Sequence, residues 1–312
     1  MEISSRPQVT ISLPAYPVVA QPHGRVSRVV VAPRGADPVH ALIGAPEDPQ
    51  GLTLHFVGFN TAMGPWEAAR CALWASLTRT VVVMCELPGF TTFGRQLPSR
   101  VRRDLLDQDP TSWACSTLSC LLAAIDEAGV SPTGRVDVLG YSTGCSLAVA
   151  ALPAIRATYH VDRLILVEPV SITSRTLPRL TMHNGADLLR AVKTVPRNYP
   201  SSWVRQAVVR ELKDPKVHFS PADFLGLITM LACDDTRARM ESLDLPETHL
   251  VRGCQSSLCP EEPFQDLDAL LTTRGVEGTT CQVTGLGHQW WHALAAVDAY
   301  ARVLAECVAR DS

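Results

Sequence analysis

The feature that most constrains this chain is a Gly-Tyr-Ser-Thr-Gly pentapeptide at residues 140–144. A valine- and leucine-rich run at 135–139 precedes it and indicates a strand, and small apolar residues at 145–152 follow it and indicate a helix. Such a sharp strand-to-helix turn needs glycine on both sides, and it exposes the serine hydroxyl. The pattern therefore predicts a nucleophile at Ser142, with an ordinary strand-to-helix turn as the alternative. The amide of Thr143 would begin the helix, where developing negative charge is stabilised.

Composition narrows the class of protein. The chain has 312 residues, of which 46% are hydrophobic and 19% charged, and its formal net charge is −3. This balance is typical of a globular protein long enough for one large core with an added lid. The near-neutral charge gives no reason to expect nucleic acid or an anionic membrane as a partner. No apolar run approaches the length that spans a membrane.

The N-terminal residues lack the pattern of a secretory signal, so we expect a cytoplasmic protein. The ten cysteines are scattered without a C-x-x-C pair. That scatter favours free, buried thiols over a disulfide framework. Cys254 and Cys259 flank a short loop, and a disulfide between them is the alternative at that one place.

Short apolar runs alternate with helical patterns along the chain. Strands are predicted at 9–13, 26–31, 52–57, 80–85, 136–139, 164–167, 250–251 and 280–283, and helices at 67–77, 112–128 and 293–309. Continuous apolar strands separated by helices predict an α/β fold, with a mostly parallel central sheet covered on both faces.

One region breaks the alternation of strands and helices. Residues 171–245 read as several helices with proline-bearing joints and apolar side chains. We expect this stretch to be a helical cap inserted into a core made of residues 1–170 and 246–312.

Four motifs in sequence order resemble those of the α/β-hydrolase superfamily, and the resemblance covers about residues 50–310. The strand that ends Phe-Val-Gly-Phe at 56–59 resembles the family's oxyanion strand, with Val57 in place of histidine. Glu-Leu-Pro-Gly-Phe at 86–90 resembles the loop after the next strand, with Glu86 in place of aspartate. The pentapeptide at 140–144 resembles the nucleophile elbow, and Gly-Leu-Gly-His at 285–288 resembles the late motif that carries the base.

The resemblance implies roles for particular residues. His288 would be the general base, and the backbone amides of Phe59 and Thr143 would bind the oxyanion. No cofactor and no metal are expected. Five side chains in or beside the implied loops are candidate walls of a substrate pocket: Met63, Trp66, Phe90, Tyr141 and Trp290.

The acid that would hold the base is the open question. Where the family places aspartate in a G-x-x-D pattern, this chain has Gly-Cys-Gln-Ser at 253–256, so Ser256 stands at the expected acid position. Glu168, at the end of the strand that follows the elbow strand, is one replacement. Glu261 or Glu262, a few residues beyond the usual site, is another, and a site without an acid is the third alternative.

These residues predict a serine hydrolase that acts on a small-molecule carboxylic ester or thioester with an apolar portion, through an acyl-enzyme. Two other functions stay open. In one, Ser142 serves a non-hydrolytic acyl transfer or cyclisation; in the other, the chain is a catalytically inactive homologue that binds a ligand. Fold alone does not decide among them, and the oligomeric state is not predicted.

Overall fold

The computed structural model describes residues 6–13, 23–33, 37–130, 134–194 and 216–310. Nine strands in these ranges form one sheet: β1 (Gln8–Ile11), β2 (Arg25–Val31), β3 (Val39–Ala45), β4 (Gly51–Phe56), β5 (Val81–Cys85), β6 (Arg135–Tyr141), β7 (Val161–Val167), β8 (Glu247–Gly253) and β9 (Thr280–Val283). Their order is β1-β9-β8-β7-β6-β4-β5-β3-β2. Strand β3 is antiparallel to β2 and β5, and the other neighbours are parallel. The predicted α/β fold with a mostly parallel sheet is confirmed.

Helices connect the strands. They are α1 (Pro65–Thr78), α2 (Ser99–Leu106), α3 (Thr111–Glu127), α4 (Thr143–Arg156), α5 (Leu177–Thr194), α6 (Pro221–Cys233), α7 (Thr236–Glu241), α8 (Glu261–Thr273) and α9 (Leu294–Arg310), with a 3₁₀ turn at His288–His292. The sequence did not predict β3, α2 or α8. The other strands and the four helices predicted outside the inserted region all form, with ends that differ by a few residues.

Helices cover both faces of the sheet. Gly44 and Val82 are paired in register, and so are Ala41 and Cys85. Positions 82 and 85 point to opposite faces because side chains alternate along a strand. The Gly44 face lies against Cys71 of α1, and the thiol of Cys85 reaches a carbonyl of α3. Every residue of β4 and β5 is therefore buried, which explains why these strands are continuous apolar runs.

The carboxyl ends of the parallel strands meet at one edge, where α/β sheets bind their ligands. Three residues that follow adjacent strands at this edge have left-handed backbone without being glycine. They are Asn60 after β4 (φ 62°), Ser142 after β6 (φ 55°) and Glu168 after β7 (φ 56°). Such backbone is unfavourable for residues with a Cβ, and it concentrates at functional sites. The unfavourable backbone of these three residues indicates a functional site at this edge of the sheet.

Between β7 and β8 the chain makes the insertion that the sequence predicts as a helical cap. Helices α5, α6 and α7 lie within it, and residues 195–215 of the expected cap lie outside the described residues. Helix α7 is tied to the core, since Thr236 and Ser146 of α4 share a hydroxyl hydrogen bond of 3.2 Å. The division into a core and a cap at 171–245 stays a prediction.

The structure also bears on two expectations from the sequence, one about a disulfide and one about membrane-spanning segments. Cys254 and Cys259 both carry free thiols, so the disulfide considered for this loop does not form. Across the same residues, no helix combines the length and the apolar character needed to cross a membrane.

Candidate active site

Ser142 occupies a sharp turn between β6 and α4. Its backbone has φ 55° and ψ −120°, and its amide donates to the carbonyl of Val167 at 2.9 Å. Thr143 is the first residue of α4, so the turn ends where the helix begins. This is the strand–turn–helix context that the pentapeptide requires for an exposed serine hydroxyl.

His288 faces this serine from the start of the 3₁₀ turn after β9. The distance from its Nε2 to Oγ of Ser142 is 2.9 Å. The histidine is buried, with 2% of its surface exposed. Tyr141 holds the turn in place, because its hydroxyl donates to the carbonyl of His288 at 3.3 Å and the two rings stack at 5.7 Å.

Glu168 reaches the other nitrogen of the same imidazole. Its Oε2 lies 3.1 Å from Nδ1 of His288, and the carboxylate is fully buried. Two groups at the end of β8 complete its contacts: the amide of Gly253, the last residue of the strand, donates to Oε1, and the hydroxyl of Ser256 donates to Oε2 at 2.6 Å. Among the three alternatives for the acid, the structure brings Glu168 to the histidine.

The alternative carboxylates lie elsewhere. Glu261 and Glu262 form the first turn of α8. The side chain of Glu261 is 59% exposed and pairs with Arg252 at 3.7 Å rather than with the histidine. The alternative that placed the acid at either glutamate is therefore corrected. The loop does not curl back, because both residues begin a helix.

Two backbone segments meet at Ser142: the start of α4 at Thr143, and the segment after β4 at Gly58. The amide of Thr143 lies in the first turn of α4, where amides have no acceptor within the helix. Gly58 packs against the elbow: a Cβ added there would lie 3.0 Å from the ring of Tyr141 and 3.3 Å from Cβ of Ser142. Phe59 follows directly, so its amide belongs to the segment that lines the serine.

The candidate pocket residues divide between the site and the core. Tyr141 contacts His288, as described above. Met63 is fully buried, and Trp66 is half-buried. The expected pocket role of Trp290 is corrected: it is 1% exposed, and its ring packs edge-on against Trp291 and Tyr300 in the core between the 3₁₀ turn and α9.

A set of four rings beside the oxyanion segment was not predicted as a unit. The phenylalanine cluster consists of Phe59, Phe90, Phe219 and Phe224, with ring centroids 5.4–5.8 Å apart at each contact. Phe90 is buried, Phe59 and Phe224 are half-buried, and Phe219 is 40% exposed. Only Phe90 was named as a pocket candidate. The sequence offered no signal that residues from the insertion would meet Phe59.

A buried cation lies behind the site. Arg70 of α1 donates to the carbonyl of Trp291 at 3.3 Å and lies 3.4 Å from Nδ1 of His292. Burial, together with the positive charges of Arg70 and His288, lowers the pKa of His292 to about 3. His292 is therefore neutral near pH 7.

Nothing in the described residues suggests a metal centre, because no group of three or more His, Cys, Asp or Glu side chains there is arranged to hold an ion. The chemistry available to the site is that of the serine, the imidazole, the carboxylate and the two amides.

Comparisons with known proteins support the assignment of the fold. No protein-family model and no curated protein matches the chain. Solved structures match over nearly its whole length. A thermostable carboxyl esterase from Bacillus coagulans is 12% identical with a TM-score of 0.58, and covers 91% of this chain and 98% of its own. A bromoperoxidase from Bacillus anthracis is 14% identical with a TM-score of 0.56, and the match covers 90% of this chain and 100% of the bromoperoxidase.

A hyperthermophilic esterase from the archaeon Pyrobaculum calidifontis is 19% identical, with a TM-score of 0.52 over 92% of this chain and 87% of its own. The chain thus has the α/β-hydrolase fold, as the resemblance implied for its fold. At these identities the likeness establishes the fold. The reaction has to be argued from the site.

Proposed function

We propose that the protein is a serine hydrolase that cleaves a carboxylic ester, or the equivalent thioester, with an apolar portion. One observation carries the proposal. Ser142 Oγ, the two ring nitrogens of His288 and the Glu168 carboxylate form a continuous line of hydrogen bonds of 2.9 and 3.1 Å. A serine, a base and an orienting acid in this arrangement are the parts that acyl transfer to serine requires.

The hydrogen-bond partners assign the direction of proton transfer. An ionised carboxylate can only accept, so Nδ1 of His288 carries the proton that faces Glu168. Nε2 is then free to accept from Ser142 as the hydroxyl attacks the substrate carbonyl. The imidazolium that forms is stabilised by Glu168, and it returns the proton to the leaving alcohol or thiol.

The oxyanion of the tetrahedral intermediate would accept from the amides of Phe59 and Thr143. Thr143 follows Ser142 directly, and Phe59 follows Gly58, which packs against the same turn. The Thr143 amide adds the positive end of the α4 dipole. One donor of this kind lowers the barrier by about 3–4 kcal/mol in serine hydrolysis. Water then attacks the acyl-enzyme with His288 again as the base.

The phenylalanine cluster gives the apolar portion of the substrate a place to bind. Phe59 would contribute its amide to the oxyanion and its ring to the cluster. The apolar surface therefore begins at a residue that also serves the reacting carbonyl. Phe219 and Phe224 keep part of their rings exposed. Such exposed aromatic faces stabilise an apolar acyl or alcohol group through burial and ring contacts.

Covalent labelling tests the nucleophile. We expect a fluorophosphonate to add once to the wild type, as measured by intact mass, and not to Ser142→Ala. Ser146→Ala is the matched control, because Ser146 is a buried serine on the next turn of the same helix. An adduct on Ser142→Ala would show that another residue is modified and would overturn the assignment.

Turnover of p-nitrophenyl esters then separates the three functions. Hydrolysis in the wild type that is lost in Ser142→Ala supports the esterase. An adduct without hydrolysis, but with transfer to an added alcohol or amine, would favour an acyltransferase. A wild type with neither adduct nor turnover would favour ligand binding without catalysis.

A further inference from the structure

The hydroxyl of Ser256 has its hydrogen bonds fixed by its surroundings. Ser256 is 6% exposed, and its Oγ accepts from the amide of Cys259 at 3.1 Å. The hydroxyl has a single proton, and Oε2 of Glu168 lies 2.6 Å away. A carboxylate only accepts, so that proton points at Glu168. A short hydrogen bond to an ionised acceptor is among the stronger hydrogen bonds in proteins.

The acceptor atom matters, because Oε2 is also the oxygen that faces His288 at 3.1 Å. Oε1 is occupied separately by the amide of Gly253. Ser256 and His288 therefore share one carboxylate oxygen, and the bond to Ser256 competes for the charge that holds the imidazole. Glu168 itself has left-handed backbone, so its carboxylate depends on these donors for its orientation.

Within the described residues, the Glu168 carboxylate contacts the Gly253 amide, the Ser256 hydroxyl and the His288 imidazole. Its charge also acts on Tyr141 and on the thiols of Cys145, Cys254 and Cys259. Burial raises the pKa of the tyrosine and the thiols, and the charge of Glu168 adds to the rise. These four groups are neutral near pH 7 and add no charge beside the carboxylate.

We propose that Ser256 is a positioning residue of the hydrolase. It aims Oε2 of Glu168 at His288 and moderates the basicity of that oxygen, and it acts on the reaction only through Glu168. This inference rests on the proposed serine hydrolysis, in which His288 must gain and then lose a proton. A hydroxyl suits this role because it donates one bond without adding a charge to a buried site.

Ser256→Ala tests the inference. Removal of the donor leaves more charge on Oε2, which favours the imidazolium, so the acidic limb of the kcat/KM profile should move to higher pH by about half a unit to one unit. We expect kcat to fall about tenfold, because the carboxylate loses its fixed orientation, with little change in KM. Ser256→Thr keeps the hydroxyl and should retain most of the activity.

A double-mutant cycle separates this role from a general structural one. In a Glu168→Gln background the charge that Ser256 moderates is gone, so Ser256→Ala should cost little further activity. An equal loss of kcat in both backgrounds would overturn the proposal, and so would wild-type kcat and pH dependence in Ser256→Ala. Ser146→Ala, which also removes a buried hydroxyl, is the control and should leave kcat unchanged.

A measurement without substrate keeps the result independent of the proposed function. NMR titration of ¹⁵N-labelled histidine follows the His288 imidazole in the wild type and in Ser256→Ala. We expect the midpoint of that titration to move to higher pH in the variant, and an unchanged midpoint would overturn the inference even if the enzyme is active. Failure of fluorophosphonate labelling and ester turnover in the wild type would instead count against the hydrolase.

Discussion

The carbonyl oxygen of Phe56 occupies the space that a Cβ atom on Gly144 would need. Phe56 is the last residue of β4, and Gly144 is the second residue of α4. The end of β4 therefore lies directly on the start of α4, beside the turn that carries Ser142. This contact sets the distance between the Phe59 segment and Ser142, so the second glycine of the pentapeptide serves the site as well as the turn.

Gly144→Ala should disrupt the close contact between the end of β4 and the start of α4. The added methyl meets backbone, which cannot move aside cheaply, and we expect a loss of about 1–3 kcal/mol in the free energy of unfolding together with loss of ester turnover. Gly185→Ala is the control: a Cβ there meets nothing within 4 Å, and the residue lies in α5. It should stabilise by up to about 1 kcal/mol. Urea unfolding and turnover measure both, and equal stability of the two variants would contradict the explanation.

The sequence predicted those parts of the fold that local patterns encode. Buried parallel strands are continuous apolar runs, and β4, β5 and β9 were found for that reason. The antiparallel strand β3 was missed because His40 and Gly44 interrupt its apolar pattern. Helix α2 was missed because it buries only Val101 and Leu105 and is otherwise rich in arginine.

Site residues could be predicted where a local motif fixes the backbone. They could not be predicted where contacts between distant segments determine which side chains meet. Ser142 and His288 follow glycine-bearing turns with a recognisable pattern. The acid was left open because its choice depends on which loop lies over the histidine, and that is a property of the folded chain. The pairing of Ser256 with Glu168 crosses 88 residues, and the meeting of Phe219 with Phe59 crosses two segments that no local pattern links.

Arg70 should be required for both stability and turnover. It is 2% exposed, and besides the carbonyl of Trp291 it contacts Glu67 at 3.4 Å. Arg70→Met removes the buried cation from its contacts with Glu67 and the Trp291 carbonyl, so we expect a loss of about 3–5 kcal/mol in the free energy of unfolding. The turn that carries His288 also loses its anchor, and kcat should fall. Arg70→Met with Glu67→Gln should recover part of the stability but not kcat, as thermal unfolding and turnover would show. Full stability in the single variant would contradict this account.

His55 should make the protein sensitive to acid. Burial, and then the charge of Arg70, lowers the pKa of His55 well below its usual value. In the unfolded chain this histidine titrates near pH 6.5, at about its model-peptide value. Below that pH the unfolded state binds a proton that the folded state does not, so stability is lost as the pH falls, by up to about 1.4 kcal/mol per pH unit.

His55→Gln removes the titrating group and should flatten the decline in stability between pH 6.5 and about pH 5. A comparison at about pH 8, where the histidine is neutral in both states, gives the cost of the altered packing against Trp291. Urea unfolding across this range is the measurement. Parallel curves for the wild type and the variant would show that His55 does not contribute.

Asp223 should fix the wall of the substrate site. Its carboxylate is fully buried in the first turn of α6 and accepts from Arg102 at 2.8 Å, from Ser220 at 2.7 Å and from the amide of Leu97 at 3.3 Å. These bonds hold α6, which carries Phe224, against the core. Asp223→Asn loses the charge and one acceptor, so we expect a loss of about 2–3 kcal/mol.

The same change should raise KM for esters with large apolar groups more than it lowers kcat, because the displaced helix carries Phe224 of the cluster and none of the reacting groups. Glu241→Gln is the matched control, since Glu241 forms an exposed pair with Arg237 at 3.3 Å and should cost less than about 0.5 kcal/mol. Kinetics with acetate and phenylacetate esters separate the two effects. An equal rise in KM for both esters would show that α6 does not form the apolar wall.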